Sequence, residues 1–157
     1  MLIWDGVDLA ASHFNRANAY RELRDDDRAI ADFNQAIRLV PEDALAYSNR
    51  GFANRKKGDY DRAVADYNRA MKLAPKNASP YYRRAFLYSE RGDDERAVAD
   101  FDQANRLVLE NACYNGGLIS EEAGRRKDAI ADYRCALAKD PNDKDAKEAL
   151  QRLGVEP

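Results

Sequence analysis

One histidine, His13, and two cysteines, Cys113 and Cys135, are present among the 157 residues. Acid–base and nucleophilic catalysis require several groups converging on one reacting atom, and one imidazole far from other nucleophiles does not supply them. The cysteines lack partners at zinc-ligand spacing. The glycines stand singly or at helix crossings and form no phosphate-cradling loop. The acidic runs Asp25–Asp27 and Glu121–Glu122 read as solvated charge at helix ends. No catalysis, metal or cofactor is expected. The chemistry on offer is recognition. An amide such as Asn49 can donate and accept along a peptide backbone, and a guanidinium such as Arg83 can hold a carboxylate.

Such side chains act together only if the chain repeats a scaffold beneath them, and it does. Ala29, Ala63, Ala97 and Ala129 set a register with spacings of 34, 34 and 32 residues. Four positions on come Phe33, Tyr67, Phe101 and Tyr133, and three further Ala36, Ala70, Ala104 and Ala136. Those offsets place an aromatic between small residues on one helical face. Pro41, Pro75 and Pro141 end the helix. The third repeat has Leu109 there and is two residues short, so a tighter or irregular junction is expected. Upstream of each such helix lies another, with Ala17, Gly51, Ala85 and Gly117 where two helices cross closely. Gly58, Gly92 and Gly124 suit a left-handed helix end. Arg24 holds the same place in the first repeat, where it is mildly strained.

These residues resemble the signature of the tetratricopeptide repeat family. The aromatic near the start of the first helix is present as Tyr47 and Tyr81 and replaced by His13 and Cys113. The resemblance implies an all-α fold, an α-solenoid of stacked antiparallel helix pairs in a right-handed superhelix. The expected units are 10–43, 44–77, 78–109 and 110–143, after an apolar segment at 1–9 and before a capping helix at 144–154. That last helix places Ala146, Ala149, Leu150 and Leu153 on one face, covering the end of the stack.

A second regularity belongs to this chain. Arg16, Arg50 and Arg84 precede Asp32, Asp66 and Asp100 by sixteen residues each. Bidentate pairs between first and second helices are expected, a row of solvated charges being the alternative. Gly116 interrupts the series, leaving Asp132 without that partner. With Asn115-Gly116-Gly117 weakening its helix, the fourth repeat is expected to be the loosest.

In the family's architecture, first helices line a concave groove. The candidate groove residues are Phe14, Asn18, Asn49, Phe52, Lys56, Tyr82, Arg83, Phe86, Tyr114 and Asn115: aromatic anchors, amides and a few cations. Some rings could instead pack between neighbouring units. Within the family, certain co-chaperones clamp an acidic chaperone tail with two lysines, two asparagines and an arginine. Asn18, Asn49 and Arg83 match that pattern, while Phe14 and Ser79 stand where the lysines belong; Arg21, Arg55 or Lys56 could substitute in part.

The expected function is a non-catalytic protein-interaction adaptor holding an extended peptide or a helix of another protein. The alternatives are self-association into a homodimer, through the N-terminal segment or a solenoid end, and a degenerate carboxylate clamp. Leu2, Ile3 and Trp4 could fold over the first repeat or dock on another copy. Formal net charge is −2 with 34% charged residues, so no basic field favours nucleic acid. No apolar run approaches the ~20 residues of a membrane span. Two cysteines do not make a disulfide framework, and a cytoplasmic location is the simplest expectation.

Overall fold

A computed structural model describes the backbone from Leu2 to Pro157 and side chains from Gly6 onward. The described residues form eight α-helices and no strand: α1 (Leu2–Glu22), α2 (Asp26–Leu39), α3 (Ala44–Lys56), α4 (Tyr60–Leu73), α5 (Ser79–Glu90), α6 (Asp94–Glu122), α7 (Arg126–Lys139) and α8 (Lys144–Arg152). None is long and apolar enough to cross a membrane. The chain divides into two compact units, Met1–Phe101 and Asp102–Pro157.

In the first unit, α1 packs on α2, α3 on α4, and each pair on the next. Small residues make the crossings close. Ala17, Ala29, Ala36, Ala63, Ala70 and Ala85 are fully or almost fully buried, with Phe33 and Tyr67 between them. Ring and crossing residue match in size across the chain. Phe33 clusters with Ala17, whereas Tyr67 and Tyr133 face Gly51 and Gly117. A Cβ on Gly51 would lie 2.9 Å from Tyr67 Cε1, and one on Gly117 closer still to Tyr133.

The helix ends follow from local chemistry. Arg24, Gly58, Gly92 and Gly124 all take positive φ, Arg24 at 59°. Arginine there costs roughly 1 kcal/mol that glycine avoids. The next residue caps the following helix: Asp25, Asp59 and Asp93 accept hydrogen bonds from the backbone N–H of Arg28, Arg62 and Arg96. In the second unit the equivalent Arg125 makes no side-chain cap.

The expected ion pairs form. Arg16 donates to both oxygens of Asp32 (2.6 and 2.7 Å), Arg50 to Asp66 (3.0 and 2.5 Å) and Arg84 to Asp100 (2.6 and 2.7 Å). Arg50 also donates to Asn34 of the preceding second helix (2.7 Å), and Arg84 to Asn68 likewise. Each of those two guanidiniums therefore binds a first helix to two second helices. In the second unit Asp132 accepts only from Ser120 Oγ (3.3 Å) among the recorded bonds.

Two expectations need correction. The apolar segment at 1–9 was expected ahead of the first helix; α1 instead runs from Leu2, so residues 2–9 are helical. The side chains of Leu2, Ile3 and Trp4 lie outside the described residues, and with them the choice between fold-back and docking. Nor is the junction at Leu109 a turn. The helix runs unbroken from Asp94 to Glu122. Without proline at 109 nothing disrupts the backbone hydrogen bonds, and the two missing residues are those a turn would need.

In the second unit, α7 packs against the C-terminal half of α6 through Tyr133 and Gly117. α8 closes the other side of α7, with Ala146, Ala149 and Leu150 fully buried. Cys113 and Cys135 are bonded to one another, their Cα atoms 5.7 Å apart. The reading of unpaired thiols is thereby corrected: the two positions face each other across α6 and α7, a proximity their separation of 22 residues does not reveal. Glu121, expected to be solvated, instead accepts from Arg152 and Tyr133 and ties α8 to α6.

Candidate functional site

The first helices α1, α3 and α5 lie side by side in the first unit, and their shared face gathers most of the candidate residues. Its centre is the half-buried ring of Phe52. Four cations surround it: Arg21 at 5.5 Å from the ring centroid, Arg55 at 5.3 Å, Lys56 at 5.5 Å and Arg83 at 5.4 Å. The quadrupole of one ring attracts a cation by about 0.5–2 kcal/mol, too little to offset mutual repulsion among four. The neighbouring acids are Glu90, Glu22 and Asp26. Arg55 lies 3.4 Å from Glu90, and Glu22 and Asp26 line the same depression as Arg21, Arg24, Phe52 and Lys56.

Asn49 organises the cluster. Its side-chain oxygen accepts from Arg21 and from Arg83, both at 3.1 Å. Its amide nitrogen donates to Asn18 Oδ1 (3.3 Å). Arg83 also donates to the Ser48 carbonyl oxygen (3.2 Å). Every recorded hydrogen bond of Arg83 thus ends on a neutral oxygen, although the residue is partly buried. Burial, helped by the Arg21 and Arg55 charges, lowers its pKa below the ordinary arginine value. A guanidinium remains charged all the same. Burial also pushes the Tyr67 phenol beneath this face up to about 12, so it stays protonated at neutral pH. The site is a positive, partly desolvated surface with an aromatic floor, suited to an anionic group.

Asn18, Asn49, Phe52, Lys56 and Arg83 therefore come together. Phe14 instead turns its ring edge-on to Phe33 (centroids 5.8 Å apart). Tyr82 and Phe86 pack on Phe101 at 6.2 and 5.2 Å, Phe86 remaining exposed. Tyr114 and Asn115 belong to the second unit, where Tyr114 packs on Tyr133 at 5.7 Å. Phe14, Tyr82 and Tyr114 thus serve partly as packing against the second helix of their own repeat. Arg21 and Arg55 were marked in sequence as groove-lining positions on the first helices and as possible substitutes for the clamp lysines. Their register, one to two turns beyond the asparagines, was the available signal. Among the described residues no group of histidine, cysteine, aspartate and glutamate side chains could hold a metal ion.

Tetratricopeptide repeat models match residues 17–58, 44–77 and 66–99, together just over half of the chain. The chain belongs to the tetratricopeptide repeat family. Solved structures agree on the fold. A tetratricopeptide repeat domain of OM64 from Arabidopsis aligns at TM-score 0.51 and 24% identity over 95% of this chain and 97% of its own. MamA aligns at TM-score 0.60 and 22% identity over 84% and 78%. The second such domain of Spaghetti (RPAP3), bound to the HSP90 peptide SRMEEVD, aligns at TM-score 0.60 and 26% identity over 63% and 92%. No curated protein matches the chain. Tetratricopeptide repeats are protein-interaction modules, and a protein-interaction module is what this chain is.

Proposed function

We propose that this chain is a non-catalytic adaptor whose first unit holds an extended, acidic peptide segment of another protein across α1, α3 and α5. The cluster around Phe52 carries the proposal: Arg21, Arg55, Lys56 and Arg83 share one ring, and Arg83 is partly buried without a carboxylate. A carboxylate there gains charge-assisted hydrogen bonds and relieves the repulsion. Asn18 and Asn49 then hold backbone groups, and Phe86, exposed on α5, offers an apolar contact. The peptide on the Spaghetti domain, SRMEEVD, is of this chemical kind. Here Phe14 and Ser79 replace two clamp lysines, so the cations come from a different set of positions.

Fluorescence polarisation with a labelled peptide ending in Glu-Glu-Val-Asp tests the reading, beside copies with a C-terminal amide or neutral side chains. The acidic peptide should bind at around micromolar Kd, in the range of small preformed interfaces. Arg83→Ala with Arg21→Ala should weaken it at least tenfold while helicity is unchanged, and added salt should weaken the wild type. Equal binding of all three peptides, or indifference to the double substitution, refutes the proposal.

A further inference from the structure

Charge at the Phe52 cluster of the first unit narrows the anion it takes. Arg21, Arg55, Lys56 and Arg83 all lie between 5.3 and 5.5 Å from one ring centroid. Of these four, Arg55 alone is recorded in an ion pair, with Glu90 at 3.4 Å. Its own side chain is only 13% exposed and that of Glu90 is 49% exposed. Water therefore screens the acid more than the base. The adjoining depression adds Arg24, Glu22 and Asp26. Five cations against three carboxylates leave this one site with a net charge of +2.

The donors also converge. Arg21 from α1 and Arg83 from α5 both donate to Asn49 Oδ1 on α3, each at 3.1 Å. Two guanidiniums thus meet at a single neutral oxygen, which offsets the charge of neither. Lys56 is exposed beside them and brings three further donors. A carboxylate carries one charge on two oxygens, whereas a phosphate monoester carries nearly two charges on three oxygens. Same-face side chains of an extended peptide stand roughly 7 Å apart. Two carboxylates therefore spread their charges along the backbone, and a phosphate brings both to one point.

We propose that the group held at this cluster is a phosphorylated side chain, phosphoserine or phosphothreonine, within the acidic peptide. The inference rests on the reading of the first unit as an acidic-peptide groove and names the group that its cations hold. Arg21 and Arg83 donate to the phosphate oxygens in place of Asn49 Oδ1, and Lys56 closes on the third oxygen. The dianion cancels the net +2, where one carboxylate leaves +1. Phosphorylation of the partner then switches its capture on.

Fluorescence polarisation on the full chain gives the test. The probes are labelled, C-terminally amidated Met-Glu-Xaa-Val-Gly peptides in which Xaa is phosphoserine, glutamate or serine, beside the free-acid peptide ending in Glu-Glu-Val-Asp. The phosphoserine peptide should bind about fivefold more tightly than its glutamate counterpart, and the serine peptide most weakly. Raising the pH from about 5.5 to about 7.5, through the second phosphate pKa, should tighten the phosphoserine peptide alone. The glutamate peptide controls for titration of Glu22, Asp26 and Glu90 at the site. Lys56→Gln, at an exposed position, should cut the preference for phosphoserine over glutamate about threefold with helicity unchanged. If the free-acid peptide binds and depends on Arg21 and Arg83, but phosphoserine gains nothing over glutamate, the inference is overturned and the acidic-peptide reading stands. If no peptide binds, both fall. A preference that survives Lys56→Gln and the Arg21→Ala, Arg83→Ala double substitution places the phosphate elsewhere and overturns the assignment.

Discussion

At the scale of single residues, volume is matched across the helix crossings. A glycine faces a tyrosine ring twice, and Ala17 lies against the Phe33 ring. The interior has no slack for an added methyl beside Tyr67, where a Cβ at position 51 would sit 2.9 Å from the ring. Gly51→Ala should therefore cost about 2 kcal/mol, as overpacking does. The Tyr67 hydroxyl is buried and makes no recorded hydrogen bond, so Tyr67→Phe alone should be close to neutral. Together the changes should recover about 1 kcal/mol of the loss, because a phenyl ring without its hydroxyl can shift away from the added methyl. Chemical denaturation of the four members of this cycle measures the coupling. Zero coupling would mean that the two positions are independent.

At the scale of elements, the arginine–aspartate pairs decide which helices are bound to which. Asp66 is buried and accepts from Arg50 twice and from Asn54 (3.1 Å). Its removal leaves an uncompensated guanidinium, so Asp66→Ala should cost about 3 kcal/mol. Asp132, facing Gly116 and accepting from Ser120 at 3.3 Å, is less buried; Asp132→Ala should cost about 1 kcal/mol or less. Equal losses in urea melts would show that the pairs do not set the helix contacts. The pairs were legible in sequence because their spacing of sixteen residues recurs three times. The third contact of each fork was not: Asn34 and Asn68 belong to the preceding repeat, and which neighbour a guanidinium reaches depends on stacking. Cys113 and Cys135 were hidden for a related reason. Being 22 residues apart says nothing about whether two thiols face each other across two helices.

At the scale of the whole molecule, stability should depend on pH through carboxylates held by arginines. Arg16 lowers the pKa of Asp32, with His13 adding to the effect. Asp25, Asp93 and Glu121 are lowered in the same way by Arg28, Arg96 and Arg152. A folded pKa below the unfolded one contributes stability that is fully present above the unfolded value, about 4, and is lost as pH falls through the folded value. Thermal midpoints should stay level from neutral pH down to about 5 and fall below about 4. Asp32→Asn should flatten the acid limb and lower the neutral plateau. An unchanged acid limb would remove Asp32 from that role.

The amino-acid sequence by itself determined the helical repeat, the pairing of helices within each repeat, the small-residue crossings and the three arginine–aspartate pairs. All of these depend on offsets within about 34 residues, and a periodic pattern records such offsets directly. It also nominated Asn18, Asn49, Phe52, Lys56 and Arg83, because register fixes which side of a first helix a residue occupies. Only the tertiary structure showed that Arg21 and Arg55 join them around one ring. Long flexible cations reach places that a register of Cα positions does not specify. It alone decided that Leu109 lies inside a single helix. A repeat pattern fixes spacings within a repeat and carries no record of whether a shortened junction keeps the backbone hydrogen bonds of a helix or breaks them in a turn.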